Sequence, residues 1–322
     1  MPIDPVIKQA QRRARRLAGK PAKDPAAWRE QAALVDREVA AGLISPPPPG
    51  IARRDFEVPA PRRASFRVRL YSPPGERSRG ALLTFFGGAF RQGGLDFASV
   101  DRLNRARAGQ AGCVIAAVDY ALAPEHPYPQ ALEQGLAALD WLRAAGRRVG
   151  VDPARIALGG ASSGANLAAA VALMNRDRGG QAPLFQLLEV PALDLTGAHL
   201  SRRAAWRMGA PPALVARGLR QIARDYLGDV SLAGEPYASP LLAPDLAGLP
   251  PAHIFAAEFD LLRGDAEAYA ARLAAAGVET RLRLFAGQTH DSSCYTAALP
   301  QARAWQAEVH QILKSLAPGP PG

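Results

Sequence analysis

The chain has 322 residues, 48% of them hydrophobic, which is ample for one large core and by length alone would allow two domains. Its formal charge of +10 raises nucleic-acid binding as a candidate role. Yet the basic residues are nearly all arginine, with lysine only at positions 8, 20, 23 and 314, and they are scattered along the chain, Arg12-Arg13 and Arg15-Arg16 being their densest cluster. No basic-plus-aromatic module is visible, so no nucleic-acid partner is expected. The first twenty residues lack an apolar segment of secretory type, and no stretch reaches the length of a membrane span. A soluble, cytoplasmic chain without membrane insertion is the expectation. Two cysteines, Cys113 and Cys294, suggest neither a disulfide framework nor a zinc site.

In chain order, residues 5–18 and 25–43 carry helical spacing, as in Trp28, Ala32, Leu34, Val35 and Val39. A hard break follows at Ser45-Pro46-Pro47-Pro48-Pro49-Gly50. Residues 1–50 are therefore read as a small helical N-terminal segment and 51–317 as the main domain. Two alternating segments, Asp55–Pro59 and Ser65–Tyr71, predict an antiparallel pair. Beyond Pro73-Pro74-Gly75 short apolar runs alternate with helical stretches. The runs are Ala81–Phe86, Cys113–Val118, Arg155–Leu158, Phe185–Val190, His253–Ala257 and Thr280–Phe285. The helical stretches are 95–108, 130–147, 163–176, 263–276 and 299–315. Continuous apolar strands between helices predict an α/β fold, a mostly parallel eight-stranded sheet flanked by helices. Residues 198–228 break the alternation and read as a helical insertion.

In an open parallel sheet, functional groups collect beyond the carboxyl ends of the strands. After the run Arg155–Leu158 comes Gly159-Gly160-Ala161-Ser162-Ser163-Gly164, then a helix. Strand, G-x-S-x-G, helix is the context a nucleophile elbow requires. A serine needs a base, and of the five histidines only His290 follows a late strand in a loop. Asp260 closes the run one strand earlier and is the candidate to orient that imidazole. Glu258 and Asp265 compete for the role, but the first should lie within the strand and the second within the following helix. The chain order Ser162, Asp260, His290 is that of the α/β-hydrolases.

After Ala81–Phe86 the chain reads Phe86-Gly87-Gly88-Ala89-Phe90, later Tyr120-Ala121-Leu122-Ala123-Pro124-Glu125, then Gly160 to Ala165. Ala238-Ser239-Pro240-Leu241-Leu242 and Asp260-Leu261-Leu262-Arg263 follow. Over residues 80–315 these motifs resemble the hormone-sensitive-lipase-like (bacterial family IV) esterases, with their H-G-G-G-F, Y-x-L-A-P-E, G-D-S-A-G-G and D-P-L-R signatures. The resemblance implies an α/β-hydrolase whose residues 51–317 form the catalytic domain and whose N-terminal helices cap the site. It makes Ser162 the nucleophile, Asp260 the orienting acid and His290 the general base. It assigns oxyanion amides to Gly88, Ala89 and Ser163, with Gly87 shaping the loop. A serine carboxylesterase acting on small-molecule esters of short to medium acyl chains is implied, needing no metal and no cofactor. Pairing into a homodimer through the last strand and terminal helix is implied as well.

Three departures stand out: Phe86 replaces the family's histidine, Ala89 its third glycine, and Ala161 the acid of the elbow. Phe86 loses a side chain that could brace the loop, and Ala89 is tolerable if its φ is negative and disfavoured if it is positive. Phe86, Phe90 and Tyr128 are read as pocket neighbours. Trp206, in the insertion with Met208, is a candidate wall whose plainer role is packing that helix onto the sheet. The same triad would also serve an amidase, a lactonase or an acyltransferase, whereas a non-catalytic receptor of this fold would lack the histidine.

Overall fold

A computed structural model of the chain describes residues 3–19, 24–61, 63–75, 78–208 and 212–318. Among them, eight strands form one sheet: β1 (Ala52–Ala60), β2 (Arg63–Ser72), β3 (Arg79–Phe85), β4 (Val114–Val118), β5 (Val151–Ala161), β6 (Gln186–Glu189), β7 (Ala252–Phe259) and β8 (Thr280–Thr289). Their order is β1-β2-β4-β3-β5-β6-β7-β8. β2 runs antiparallel to both β1 and β4, and every later pairing is parallel. β4 is buried over its whole length and β3 over all but its first residue. Both faces of these strands are covered, which is why their sequences are continuously apolar rather than alternating.

The helices are α1 (Pro5–Ala18), α2 (Pro25–Leu43), α3 (Ala98–Ala111), α4 (Gln130–Ala145), α5 (Ser163–Asp177), α6 (Arg202–Arg207), α7 (Pro212–Leu227), α8 (Arg263–Ala275) and α9 (Pro300–Leu313). α3 packs against α9, and α4 against α5. α5 is buried from Ser163 to Asn175 and is the most deeply enclosed helix among the described residues. Relative to the expected 95–108, α3 lies three residues further on. Phe97 is still extended, and Gly112 ends the helix in the left-handed region at φ 70°. The expected insertion at 198–228 is the pair α6 and α7.

α1 and α2 each begin on an aspartate cap followed by proline: Asp4 Oδ1 accepts from the Val6 amide at 2.8 Å, and Asp24 Oδ2 from the Ala27 amide at 2.9 Å. Arginines tie these helices to the sheet domain. From α2, Arg29 donates to the carbonyls of Arg91 (2.8 Å) and Ala123 (2.9 Å) and pairs with Glu125 at 2.6 Å. Arg102 of α3 reaches back to the carbonyls of Ala40 (2.5 Å) and Ile44 (3.0 Å). Ile7 and Ala10 of α1 are buried against Tyr295, Leu299 and Ala302. Much of the arginine excess is thus taken up by internal carbonyl oxygens and carboxylates.

Arg29 makes four of these bonds, all to groups beyond residue 50. Arg29→Ala is expected to cost about 2 kcal/mol and to speed thermolysin cleavage within the first 50 residues. Unchanged cleavage would show that α2 is held elsewhere.

Candidate active site

Ser162, Asp260 and His290 each follow directly on a strand, β5, β7 and β8 respectively. At Ser162 the chain turns from β5 into α5 with φ 56° and ψ −119°, a conformation L-residues rarely adopt. The turn closes because two neighbours have no side chain. A Cβ on Gly164 would lie 2.1 Å from the Phe85 carbonyl oxygen, and one on Gly160 2.4 Å from the Gly164 carbonyl. The Ser162 amide donates to the Glu189 carbonyl at 2.9 Å, and the Ser162 carbonyl accepts from Ala165, Asn166 and Ala192. These bonds hold a backbone that costs about 1–3 kcal/mol.

The structure brings the three side chains into one hydrogen-bonded chain. His290 Nε2 lies 2.9 Å from Ser162 Oγ, and His290 Nδ1 lies 2.8 Å from Asp260 Oδ2. The Leu262 amide donates to the other carboxylate oxygen of Asp260 at 3.0 Å. In the neutral imidazole whose Nδ1–H donates to Asp260, Nε2 is left to accept from the serine hydroxyl. Burial pulls the His290 pKa down. The charge and hydrogen bond of Asp260, with Asp291 adding to them, outweigh it and lift the value to about 9. The two competitors lie where their positions predict. Glu258, within β7, pairs with Arg207 and accepts the Gly287 amide. Asp265 is buried in α8, where desolvation, opposed by the amides of Leu193 and Asp194, raises its pKa to about 7.

Beside the serine runs the loop that leaves β3. Gly88 sits at φ 150°, and a Cβ there would lie 1.9 Å from the Gln92 carbonyl oxygen. Ala89 (φ 54°) and Phe90 (φ 62°) are both left-handed, so Ala89 occupies the disfavoured conformation, at about 1–2 kcal/mol. The loop has its own braces: the Gly88 carbonyl accepts from Arg91 and Gln92, and the Phe90 carbonyl from Ala123. Tyr120 supplies one that sequence reading missed. Its ring stacks on Phe86 at 4.2 Å, and its hydroxyl donates to the Phe86 carbonyl at 2.8 Å. A side-chain brace therefore exists despite the missing histidine. Among the described residues, the Gly88 and Ala89 amides donate to no backbone carbonyl, and Ser163 stands in the first turn of α5.

Above these groups lies a cavity of about 1010 Å³, walled in part by Trp28, Val35 and Val39 of α2 and Leu219 of α7. Phe86, Gly87, Gly88, Ala89, Phe90 and Ser163 line it with the three side chains of the hydrogen-bonded chain. Tyr128 and Trp206 do not. Tyr128 packs edge-on against Tyr226 at 5.9 Å, and Tyr226 in turn stacks on Phe90, which lines the cavity. Trp206 is 72% exposed, because the short α6 buries its other side through Ala204 and Ala205. It neither walls the pocket nor packs onto the sheet. Met208, just beyond α6, does line the cavity.

Residues 82–293 match the alpha/beta hydrolase fold family. The chain belongs to the hormone-sensitive-lipase-like esterases of that fold. It is similar to the esterase LipI of Mycobacterium tuberculosis, 37% identical over 241 residues and 73% of each chain. It also resembles an arylesterase of Saccharolobus solfataricus, 33% identical over 74% of each chain. Among solved structures, a hyperthermophilic esterase of Pyrobaculum calidifontis superposes with a TM-score of 0.84 at 32% identity, covering 98% of this chain and 99% of that one. No described helix of the esterase is long and apolar enough to cross a membrane.

Because Asp260 stabilises the charged imidazole, His290 should titrate well above 6.5, towards about 9, when followed by NMR of the ring protons. In Asp260→Asn, burial acts unopposed by that charge, and the midpoint should fall below the wild-type value. A midpoint that does not move would show that Asp260 is not the group holding the imidazole proton.

Proposed function

We propose that this esterase is a serine carboxylesterase that hydrolyses short- to medium-chain acyl esters through an acyl-enzyme intermediate. The observation that carries the reading is the hydrogen-bonded chain from Asp260 through His290 to Ser162 Oγ, set beside three backbone amides without carbonyl partners. Ser162 Oγ attacks the ester carbonyl carbon while His290 Nε2 takes its proton. The oxyanion is held by the amides of Gly88, Ala89 and Ser163, with the N-terminus of α5 adding its dipole. His290 then gives the proton to the departing alcohol, leaving the acyl group on Ser162. Water, deprotonated by the same nitrogen, attacks the acyl carbon and frees the serine. Asp260 keeps the imidazole in the required tautomer and balances its charge at both steps.

Two curated relatives of the chain carry the names carboxylesterase and carboxylic ester hydrolase, which supports ester hydrolysis as the reaction class. The receptor alternative requires loss of the base, and His290 stands 2.9 Å from the serine. A cavity roofed by α2 and α7 supports chains of limited length over long-chain lipids. Leu282 and Leu284 remain 40% and 39% exposed on the edge strand β8, which supports pairing into a homodimer there. We place the enzyme in the cytoplasm.

Ser162→Ala and His290→Ala should each lower kcat/KM on p-nitrophenyl butyrate by several orders of magnitude. On a wild-type panel from acetate to palmitate, activity should peak among the shorter chains and collapse at palmitate. Near-normal turnover in either variant would overturn the assignment.

A further inference from the structure

Two buried ions face the same cavity, and the ester chemistry above uses neither. Arg107 on α3 is 6% exposed, and Glu189 at the end of β6 is 2% exposed. Arg107 Nη2 donates to Glu189 Oε1 at 2.7 Å, and Trp305 Nε1 donates to Glu189 Oε2 at 2.7 Å. Both carboxylate oxygens are therefore occupied. Arg107 also donates to Gln306 Oε1, from Nε at 3.2 Å and from Nη2 at 3.1 Å. Its Nη1 donates to none of the described residues, and it is not sealed away from solvent. Arg107 lines the cavity.

The surroundings are organised around that donor. Val100, Leu103, Asn104 and Arg107 fall on one face of α3 at three- and four-residue spacing, and all four line the cavity. Glu189 belongs to the same wall, and its backbone carbonyl accepts the Ser162 amide at 2.9 Å. The ion pair is thus anchored one hydrogen bond from the serine. Two apolar side chains of similar volume would serve stability at least as well as a buried ion pair. A buried guanidinium that lines a binding cavity with both Nη1 hydrogens uncommitted has a use for them only when an acceptor arrives.

The charge balance selects the kind of acceptor. Glu189 neutralises Arg107, and of the other ions in the lining it is Asp36 of α2 that bonds to the same helix, accepting the Ser99 amide of α3, while Arg15 and Arg220 belong to α1 and α7. A substrate carboxylate would meet the repulsion of Glu189 and Asp36, whereas an uncharged oxygen would not. We propose that Arg107 is a specificity-determining residue whose free Nη1 receives an uncharged hydrogen-bond acceptor, such as a keto, ether or second ester oxygen, carried by the substrate away from the scissile bond. The proposal rests on the ester-hydrolase reading and narrows it from simple alkyl esters to oxo-functionalised ones.

The test compares kcat/KM within each enzyme for matched ester pairs. One pair is p-nitrophenyl 4-oxopentanoate against p-nitrophenyl pentanoate, placing the acceptor on the acyl side. The other is 4-oxopentyl acetate against pentyl acetate, followed by acid release, placing it on the alcohol side. Wild type should prefer the oxo ester by about tenfold in at least one pair. The double variant Arg107→Met/Glu189→Leu, which leaves neither ion unpaired, should lose that preference. Absence of preference in both wild-type pairs overturns the proposal without recourse to any variant, and so does a preference that survives in the folded double variant. A p-nitrophenyl hemisuccinate turned over faster than the oxo ester overturns the uncharged assignment. Failure of wild type to hydrolyse any of these esters would instead strike the esterase reading itself.

Discussion

The turn at Ser162 is the constraint on which the site depends. β5 must pass into α5 at a left-handed serine, and that turn closes only because Gly164 has no side chain where the Phe85 carbonyl stands. The same close approach sets the end of β3 against the elbow. The loop that leaves β3 is then delivered beside Ser162, where a Cβ on Gly87 would lie 3.3 Å from the Ser162 Cβ. The elbow and the loop Gly87–Phe90 are one packed unit. Its left-handed residues, Ser162, Ala89 and Phe90, store strain of about 1–3 kcal/mol each. Enclosure of α5 and the adjoining strands offsets it.

Around that unit, polar groups act as struts. Tyr120 and the backbone of Arg91 and Gln92 hold the loop Gly87–Phe90. Arg29 joins the same loop to α2, so the N-terminal helix and the loop share a fastening. Behind the serine, Glu189 holds its amide through the backbone and the Arg107 guanidinium through the side chain. Further back, Asp265 accepts the amides of Leu193 and Asp194, next to Ala192, which bonds the serine carbonyl. Arginine suits the strut role because its five donors can meet several carbonyls at once. A net charge that invites a nucleic-acid reading is in good part an internal scaffold.

How much of this could be read in advance depended on whether the signal was local. Continuous apolar runs announced the parallel strands, and position just after a strand singled out Ser162, Asp260 and His290. Glu258 and Asp265 could be set aside because a residue inside a strand or helix cannot project into the crevice as a strand-end residue does. The misses were packing outcomes. Trp206 looks like a core residue by size, but two alanines decide which side of α6 faces inward. Tyr128 lies in the right turn, yet it packs on Tyr226, almost a hundred residues later, rather than lining the cavity. The sign of φ at Ala89 and the Tyr120 brace depend on how two separate loops meet. Arg107 and Glu189 are 82 residues apart, and nothing local marks them as a pair.

The most direct measurement is covalent labelling with a fluorophosphonate, followed by mass spectrometry of the digested protein. One equivalent of adduct on the peptide carrying Ser162, lost in His290→Ala, is the predicted result. Folded protein that stays unlabelled, or that carries its adduct on another hydroxyl such as Ser163, would contradict Ser162 as the activated nucleophile.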